Sequence, residues 1–316
     1  MRIHRKLIKN NQKSRVKDPD LSTPLKLVIP ERISVPEPVS VPLEPSDNLS
    51  FFMKVKDYPH NETIYPDVVS CVLRDRLGNN LFEIATTIGL ALQMNSIPVF
   101  ESWAYSEFFD WDLTFDSELE RSIPWSIYVE KCFAYHHIPQ CKNIKINGHF
   151  QSYKYFPENV ILGKFKMKPN IHDYIMNKYE NLLRSRTTSI HVRKGDYVNN
   201  WNYHNIRIDY YKRAIELMNK ETDSFLVFSD DIEWCKTIMN LPKVNFIEGE
   251  PDYIDLFMMS LCTHNIITNS TFSWWGAFLN NKDGKKIIAP NKWFGKGLAH
   301  HDWKDLIPPA WTQIDC

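Results

Sequence analysis

Along the second half of the chain, short runs of β-branched and aromatic residues alternate with longer segments whose apolar positions recur at helical spacing. Strands are predicted at residues 188–192, 225–228, 244–247, 265–268 and 286–289, and helices near 209–220, 232–239, 253–262 and 272–280. Such alternation implies a parallel sheet covered by helices on both faces. The first half carries one clear unit of the same kind: a strand at 68–73, a loop at 74–80, a helix at 81–94 and a strand at 97–100. Residues 101–165 are rich in aromatic side chains, with strand-like alternation over 143–155. The economical architecture is α/β, with two Rossmann-like halves, 67–165 and 166–316. Residues 1–66 are first basic, then rich in proline (Pro30, Pro36, Pro38, Pro42, Pro45), and without a sustained period, as an extended tail or linker would be.

A chain of 316 residues with 43% hydrophobic content can build one large or two medium domains around a core. Lys plus Arg and Asp plus Glu number 38 each, which argues against nucleic-acid binding by charge excess. No apolar run approaches the ~20 residues that span a bilayer. Residues 1–10 lack the core of a signal peptide. A cytoplasmic protein without a stable membrane span is expected. The six cysteines (Cys71, Cys132, Cys141, Cys235, Cys262, Cys316) show neither a CxxC pair nor metal-ligand spacing with His, and read as reduced core residues. Asn48, Asn61 and Asn269 open glycosylation triplets, a pattern common by chance.

The predicted strand at 188–192 runs into His191, Arg193, Lys194 and Asp196. Open α/β sheets hold ligands at strand carboxyl ends, and a guanidinium there can grip phosphate in a fixed fork. The same residues also fit an ordinary basic surface loop. A second segment tips the balance: Asn269-Ser270-Thr271 supplies N-cap chemistry to an apolar helix bearing Ser273, Trp274 and Trp275. Unpaired N–H groups and about half a positive charge make a helix start an anion cradle. Two cradles on neighbouring strands suit a diphosphate.

Ser229-Asp230-Asp231 ends another strand, where a carboxylate either accepts hydrogen bonds from a base or sugar or caps the next helix. Asp255 lies in a helix apolar nearly all round, so its carboxylate needs a partner, a structural Arg or a ligand's N–H groups. In the loop Arg76-Leu77-Gly78-Asn79, Gly78 permits close backbone approach while Arg76 and Asn79 can reach into an interdomain cleft. GxGxxG and P-loop sequences are absent, which weakens nicotinamide and simple NTPase readings.

Five segments then fall into a familiar order: Arg76-Leu77-Gly78-Asn79-Asn80-Leu81-Phe82, Gly148-His149-Phe150-Gln151-Ser152-Tyr153-Lys154-Tyr155-Phe156, His191-Val192-Arg193-Lys194-Gly195-Asp196-Tyr197, Phe228-Ser229-Asp230-Asp231, and the run from His264 through Ser273-Trp274-Trp275-Gly276. From about residue 68 onward the chain resembles the α-1,2-fucosyltransferases of glycosyltransferase family 11. The first and third motifs recur in other fucosyltransferases, whereas Ser-Phe-Ser-Trp-Trp-Gly is more particular to this family.

The resemblance implies a GT-B-like fold, two Rossmann-like domains facing a cleft, with GDP-fucose as donor. It further implies transfer to the 2-hydroxyl of a galactose-containing glycan with inversion, and no metal or other cofactor. On this footing Arg193 holds the β-phosphate, His191 and Asp255 recognise guanine, and Ser270 or Thr271 faces the diphosphate. Lys194, Asp230, Asp231 and Ser273 complete the expected donor side; Arg76, Asn79, Asn80 and Tyr153 form the acceptor side. Arg193, Asn79 and Asp196 are the catalytic candidates. Asp196 serves either as a base or as a brace for its loop, and the brace is the simpler role. Lys194 stands where the family usually has a second Arg, Asp75 where it has Gly, Asn80 where it has Gln, and Tyr153 where bacterial members often have Glu. Two other functions fit parts of the chain: a DxD metal-dependent glycosyltransferase through Asp110-Trp111-Asp112, and a carbohydrate-binding protein using its 10 Trp, 14 Tyr and 18 Phe as stacking faces.

Overall fold

A computed structural model of the chain describes residues 67–316 except Asn240. The expected proline-rich tail, with Asn48 and Asn61, lies outside the described residues.

Two parallel sheets organise the fold. The first comprises β1 (Val68–Cys71), β2 (Ile97–Phe100), β3 (Thr114–Phe115), β4 (Ser126–Val129) and β5 (Ile144–Asn147), in the order β3-β2-β1-β5-β4. Helix α1 (Leu77–Met94) connects β1 to β2, and α2 (Ser117–Ser122) connects β3 to β4. Helices α3 (Glu158–Lys164) and α4 (Pro169–Leu183) lead to the second sheet. That sheet contains β6 (Thr187–Val192), β7 (Ser224–Ser229), β8 (Val244–Phe246), β9 (His264–Ile266), β10 (Ile287–Pro290) and β11 (Thr312–Ile314), in the order β11-β10-β9-β6-β7-β8. Its crossovers are α5 (Ile208–Met218), α6 (Ile232–Ile238), α7 (Asp252–Leu261) and α8 (Thr271–Phe278). This is the two-sheet α/β arrangement that the alternation predicts.

Strand order reverses once in each sheet. From β1 the chain builds outward to β2 and β3, and β5 later pairs with the other side of β1. From β6 it builds outward to β7 and β8, then returns to pair β9 against β6. Crevices at such reversals are where open α/β sheets take ligands. The loops leaving β1, β5, β6 and β9 are therefore the ones to inspect.

The two halves share one aromatic core. Phe82 of α1 packs on Trp274 and Trp275 of α8 at centroid distances of 4.4 and 5.1 Å, and Phe156 stacks on Trp275 at 5.7 Å. Both tryptophans are fully buried. Gly78 sits where the first turns of α1 and α8 touch; an added Cβ would lie 2.5 Å from the Phe272 nitrogen and 2.6 Å from the Thr271 carbonyl carbon.

Several elements differ from the expected ones. Helix α1 starts at Leu77, not at 81, because polar side chains buried against it hold Gly78-Asn79-Asn80 helical. Asn80 donates to the Arg74 carbonyl and to Glu83, and Glu83 accepts the Arg74 N–H. The alternation over 143–155 yields strand only at β5, since the Glu130 carboxylate takes the N–H groups of His149 and Phe150 and turns the chain away from the sheet. Helix α4, with Ile171 and Ile175 its only buried residues, and strand β11 are additions to the predicted pattern. Of the six cysteines, all free, Cys71, Cys235 and Cys262 are buried while Cys141 is exposed, so the expectation of a uniform core set fails. Asn269 is also buried, donating to the His204 and Trp293 carbonyls, which closes it to glycosylation in the folded chain.

Candidate active site

A cleft of about 1010 Å³ opens at the two reversal points and draws residues from all four strand ends. Asp75, Arg76 and Asn79 follow β1; His149 and Gln151 follow β5; His191 and Arg193 belong to β6 and its loop; Ser270 and Thr271 follow β9. The guanidinium and the opening turn of α8 thus line one cavity.

Arg193 is paired, not isolated. Its Nη2 meets Asp196 Oδ1 at 2.5 Å and its Nη1 meets Asp230 Oδ2 at 3.1 Å. A guanidinium has five N–H donors, so two carboxylates leave donors for a further anion. Asp196 also approaches Arg76 Nη2 at 3.6 Å through its other oxygen, linking the two walls of the cleft. With an oxygen on each guanidinium, Asp196 fits the brace better than the base. Asp230 accepts the Lys194 N–H at 2.8 Å, and Gly195 is required beside it, because a Cβ there would lie 2.4 Å from Asp230 Oδ2.

Helix α8 begins without a side-chain cap bond from Ser270, contrary to the N-cap expectation. The Ser273 hydroxyl instead turns inward, accepting the Thr268 N–H and donating to the Ser270 carbonyl. The orphan N–H groups of the first turn consequently keep their donors for a ligand. Thr271 Oγ1 donates to Asn79 Oδ1 at 2.8 Å, which joins the walls at the helix start.

Two residues of the cleft lining, His191 and Asp255, carry buried polar atoms. Burial, with Arg193 adding repulsion, pushes the His191 ring down to about 3, so it is neutral at physiological pH. Among the described residues its Nδ1 is buried without a partner. Asp255 is pushed up to about 8, chiefly by burial and then by Glu250 and Asp252, and among the described residues its Oδ1 is likewise buried without a partner. Unsatisfied buried polar atoms aimed into a cavity mark a place for ligand hydrogen bonds. Glu250 is held by Lys178 Nζ at 2.5 Å and the Tyr179 hydroxyl at 2.6 Å, and Asp252 by the Tyr105 hydroxyl at 2.7 Å.

On the opposite wall, Asn79 donates to Asp75 at 3.1 Å and accepts from Gln151 at 3.2 Å. His149 Nε2 lies 3.0 Å from Asp75 Oδ2. That bond is the main reason the Asp75 carboxyl is held below its ordinary range.

Five expected site residues stand elsewhere. Ser273 and Asn80 are buried braces, the latter also accepting from Trp103 Nε1. Asp231 caps α6 through the Trp234 N–H, the capping alternative of its motif. Lys194 places its ammonium 4.1 Å from the Trp234 ring, away from the cleft lining. Tyr153 sits in a short 3-10 turn, its N–H on the Asp305 carbonyl. Of the DxD pair, Asp112 is tied to Lys164 at 2.7 Å, and neither Asp110 nor Asp112 lines the cleft. Among the described residues no group of three or more His, Cys, Asp or Glu is placed to hold a metal, and no helix is long and apolar enough to cross a membrane.

Sequence reasoning missed His149, Gln151, Tyr197, Glu250 and Asp252 as cleft residues. Three of them lie inside the quoted motifs. The acidic stretch leading into α7 and its first residue could have flagged the other two.

The family model of glycosyl transferase family 11 matches residues 50–315. The chain belongs to that family. It is 33% identical over 209 residues to the O-antigen biosynthesis glycosyltransferase WbnK of Escherichia coli, covering 59% of this chain and 68% of the relative. It is 33% identical to an alpha-1,2-colitosyltransferase of the same species (55% of this chain, 63% of that one) and 30% identical to galactoside alpha-(1,2)-fucosyltransferase 2 of Rattus norvegicus (66% of each). The chain therefore spans about two thirds of the length of these relatives. The crystal structure of the fucosyltransferase NodZ from Bradyrhizobium superposes with a TM-score of 0.50 at 13% identity, over 67% of this chain and 92% of that one. This likeness is one of fold, the GT-B-like pair of facing parallel sheets. The chain is a glycosyltransferase, which sets aside the simple carbohydrate-binding alternative.

Proposed function

We propose that the protein transfers L-fucose from GDP-fucose to the 2-hydroxyl of a galactoside, with inversion and without a divalent metal. The observation that carries this reading is the convergence of Arg193 and the first turn of α8 on one cleft, in a family whose relatives include a galactoside alpha-(1,2)-fucosyltransferase. Residues 166–316 form the donor side and 67–165 the acceptor side.

Breaking the bond from fucose C1 to the phosphate oxygen leaves positive charge on the sugar and negative charge on departing GDP, as in other oxocarbenium-like transfers. The Arg193 donors left over from Asp196 and Asp230, with the N–H groups opening α8, stabilise that negative charge where a metal would otherwise act. His191 and Asp255 offer their buried polar atoms to the guanine base. An ionised Asp255 accepts the N–H donors of guanine's edge, and binding draws the carboxyl from its proton-bearing form. Asn79 and Arg76 face the acceptor. The free thiols fit a reducing compartment, so we place the activity in the cytoplasm.

Incubation with GDP-fucose and a panel of galactosides, followed by linkage analysis, tests the reading. An α-1,2-fucosylated product, formed equally with a chelator present, is the expected result. Loss of activity that manganese restores would remove the metal-independent part. A colitosyl donor belongs in the same panel, because one relative carries that sugar in its name. Product with that donor alone would replace fucose while keeping the site.

A further inference from the structure

Asp75 and His149 meet at the reversal point of the first sheet, one on the loop after β1 and the other two residues beyond β5. Both sides of this contact are strained. Asp75 has φ 61° and Phe150, next to His149, has φ 48°, a left-handed region that non-glycine residues enter at a cost of about 1–2 kcal/mol. The Glu130 carboxylate holds the second turn by accepting the N–H groups of His149 and Phe150 at 2.7 and 2.9 Å. Gly148 lets Glu130 come close, since a Cβ there would lie 2.2 Å from Glu130 Cβ. Strain of this kind persists where the surroundings enforce it, and it gathers at functional sites.

We propose that His149, oriented by Asp75, is the base that takes the proton from the acceptor hydroxyl. The proposal rests on the sugar transfer put forward above. Asp75 is an ionised carboxylate at neutral pH, because the His149 bond holds its carboxyl below the ordinary range. A carboxylate only accepts, so Nε2 carries the ring hydrogen and Nδ1 keeps its lone pair. Among the described residues Nδ1 has no hydrogen-bond partner. Phe133 stacks on the ring at 5.8 Å and 16°, fixing its plane. This is the base-plus-orienter pairing by which hydroxyl groups are activated elsewhere.

The pair also stands close to the reacting bond. Asp75 Oδ2 accepts from Asn79, whose Oδ1 accepts from Thr271 at the start of α8, so three hydrogen bonds of 3.0, 3.1 and 2.8 Å connect the imidazole to the diphosphate cradle. In the reaction, the acceptor oxygen bonds to the anomeric carbon. The bond from that carbon to the phosphate oxygen breaks with its electron pair on GDP, and the hydroxyl proton passes to Nδ1. The imidazolium stays paired with Asp75 until solvent takes the proton. Asp196, the other candidate, has both oxygens on guanidinium groups.

The groups facing the pair are Arg74, Arg76 and Glu83 on the Asp75 side, Glu130 beneath His149, Tyr203 across the cleft and His301 beyond Phe133. Among the described residues none of these groups hydrogen-bonds to Nδ1.

The test compares the wild type with His149→Gln and Asp75→Asn, measuring kcat for transfer, and GDP binding as a control for folding. His149→Gln should lower kcat by roughly 10²- to 10⁴-fold. It should leave GDP affinity within about threefold. Asp75→Asn should lower kcat less, because the imidazolium loses its counter-charge while the ring remains to take the proton. His149→Gln with transfer near wild type overturns the proposal and leaves the donor reading standing. A wild type that transfers no sugar from either donor overturns both.

Discussion

The two walls of the cleft solve the same problem by different means. On the second sheet, charged residues follow directly from a long strand, β6, buried along its full length, and the N–H groups open a helix, α8, whose tryptophans are sealed in the shared core. Their positions come from regular backbone. On the first sheet the working residues sit on irregular turns held by buried polar braces: Glu83 and Asn80 behind the β1 loop, Glu130 behind the β5 loop. The lesson is a division of labour. On the proposed reading, a rigid scaffold presents the phosphate-binding groups, while turns under strain present the residues that would meet the acceptor.

Apart from the His149–Asp75 pair, the largest effect should come from the regular wall. Arg193→Ala should reduce turnover by roughly 10²- to 10³-fold, the loss seen when one preorganised oxyanion donor is removed. Arg193→Lys should be impaired as well, because an ammonium cannot reproduce the fork that spans Asp196, Asp230 and a phosphate. A lysine variant with wild-type kcat would show that point charge alone suffices.

Next comes the seam between the walls. Gly78→Ala places a Cβ 2.5 Å from backbone on α8, so the two helix starts must separate. Overpacking of this sort destabilises by about 1–3 kcal/mol. A shift of the walls by a fraction of an ångström should reduce kcat by about tenfold or more. Denaturant midpoint and kcat, read together, separate the two effects; unchanged kcat would mean the walls work independently.

Asp255→Asn should weaken GDP by about 10- to 100-fold, the loss of charge-assisted hydrogen bonds worth about 1.5–3 kcal/mol. Because the carboxyl is pushed up to about 8, wild-type binding should strengthen as pH rises from 7 to 8 and release a proton, while the Asn variant should show neither behaviour. Calorimetry in buffers of different ionisation enthalpy reads that proton.

The smallest effect concerns the braces of the irregular wall. Burial pushes Glu83 up to about 9 from an ordinary 4.5, so the folded chain keeps a proton that the unfolded chain has lost over that interval. The stability it contributes is full below pH 4.5 and disappears as pH rises through 9. Glu83→Gln, neutral at every pH, should show a flatter melting temperature between pH 6 and 9, and melt a few degrees above wild type at pH ~8.

The same contrast governs how far the sequence could be read. Strands buried on both faces, such as β6 and β7, announce themselves as short apolar runs, and the helices between them by period. The positions of Arg193 and Thr271 followed from those elements. The irregular wall was opaque because its conformation depends on contacts distant in sequence: Glu130 reaching His149 and Phe150, and Asp75 finding His149 74 residues away. No local pattern encodes such pairings. The same holds for Ser273 and Asn80, whose polar side chains looked available and are consumed by the backbone around them. The stacking of Phe109, Trp111 and Phe115 likewise explains why 101–165 showed no clear period: those aromatics pack on one another as a cluster, at 4.5 and 5.2 Å, and not along one face of an element.

The central claim is that the diphosphate of a GDP-sugar rests between the Arg193 guanidinium and the first turn of α8. A crystal structure of the protein with GDP tests it most directly. The account predicts β-phosphate oxygens within hydrogen-bond distance of Arg193 and of the backbone N–H groups at Thr271 and Phe272, with guanine beside Asp255. A nucleotide bound in another crevice, or with its phosphates on the Asn79 wall and no contact to Arg193, would contradict it.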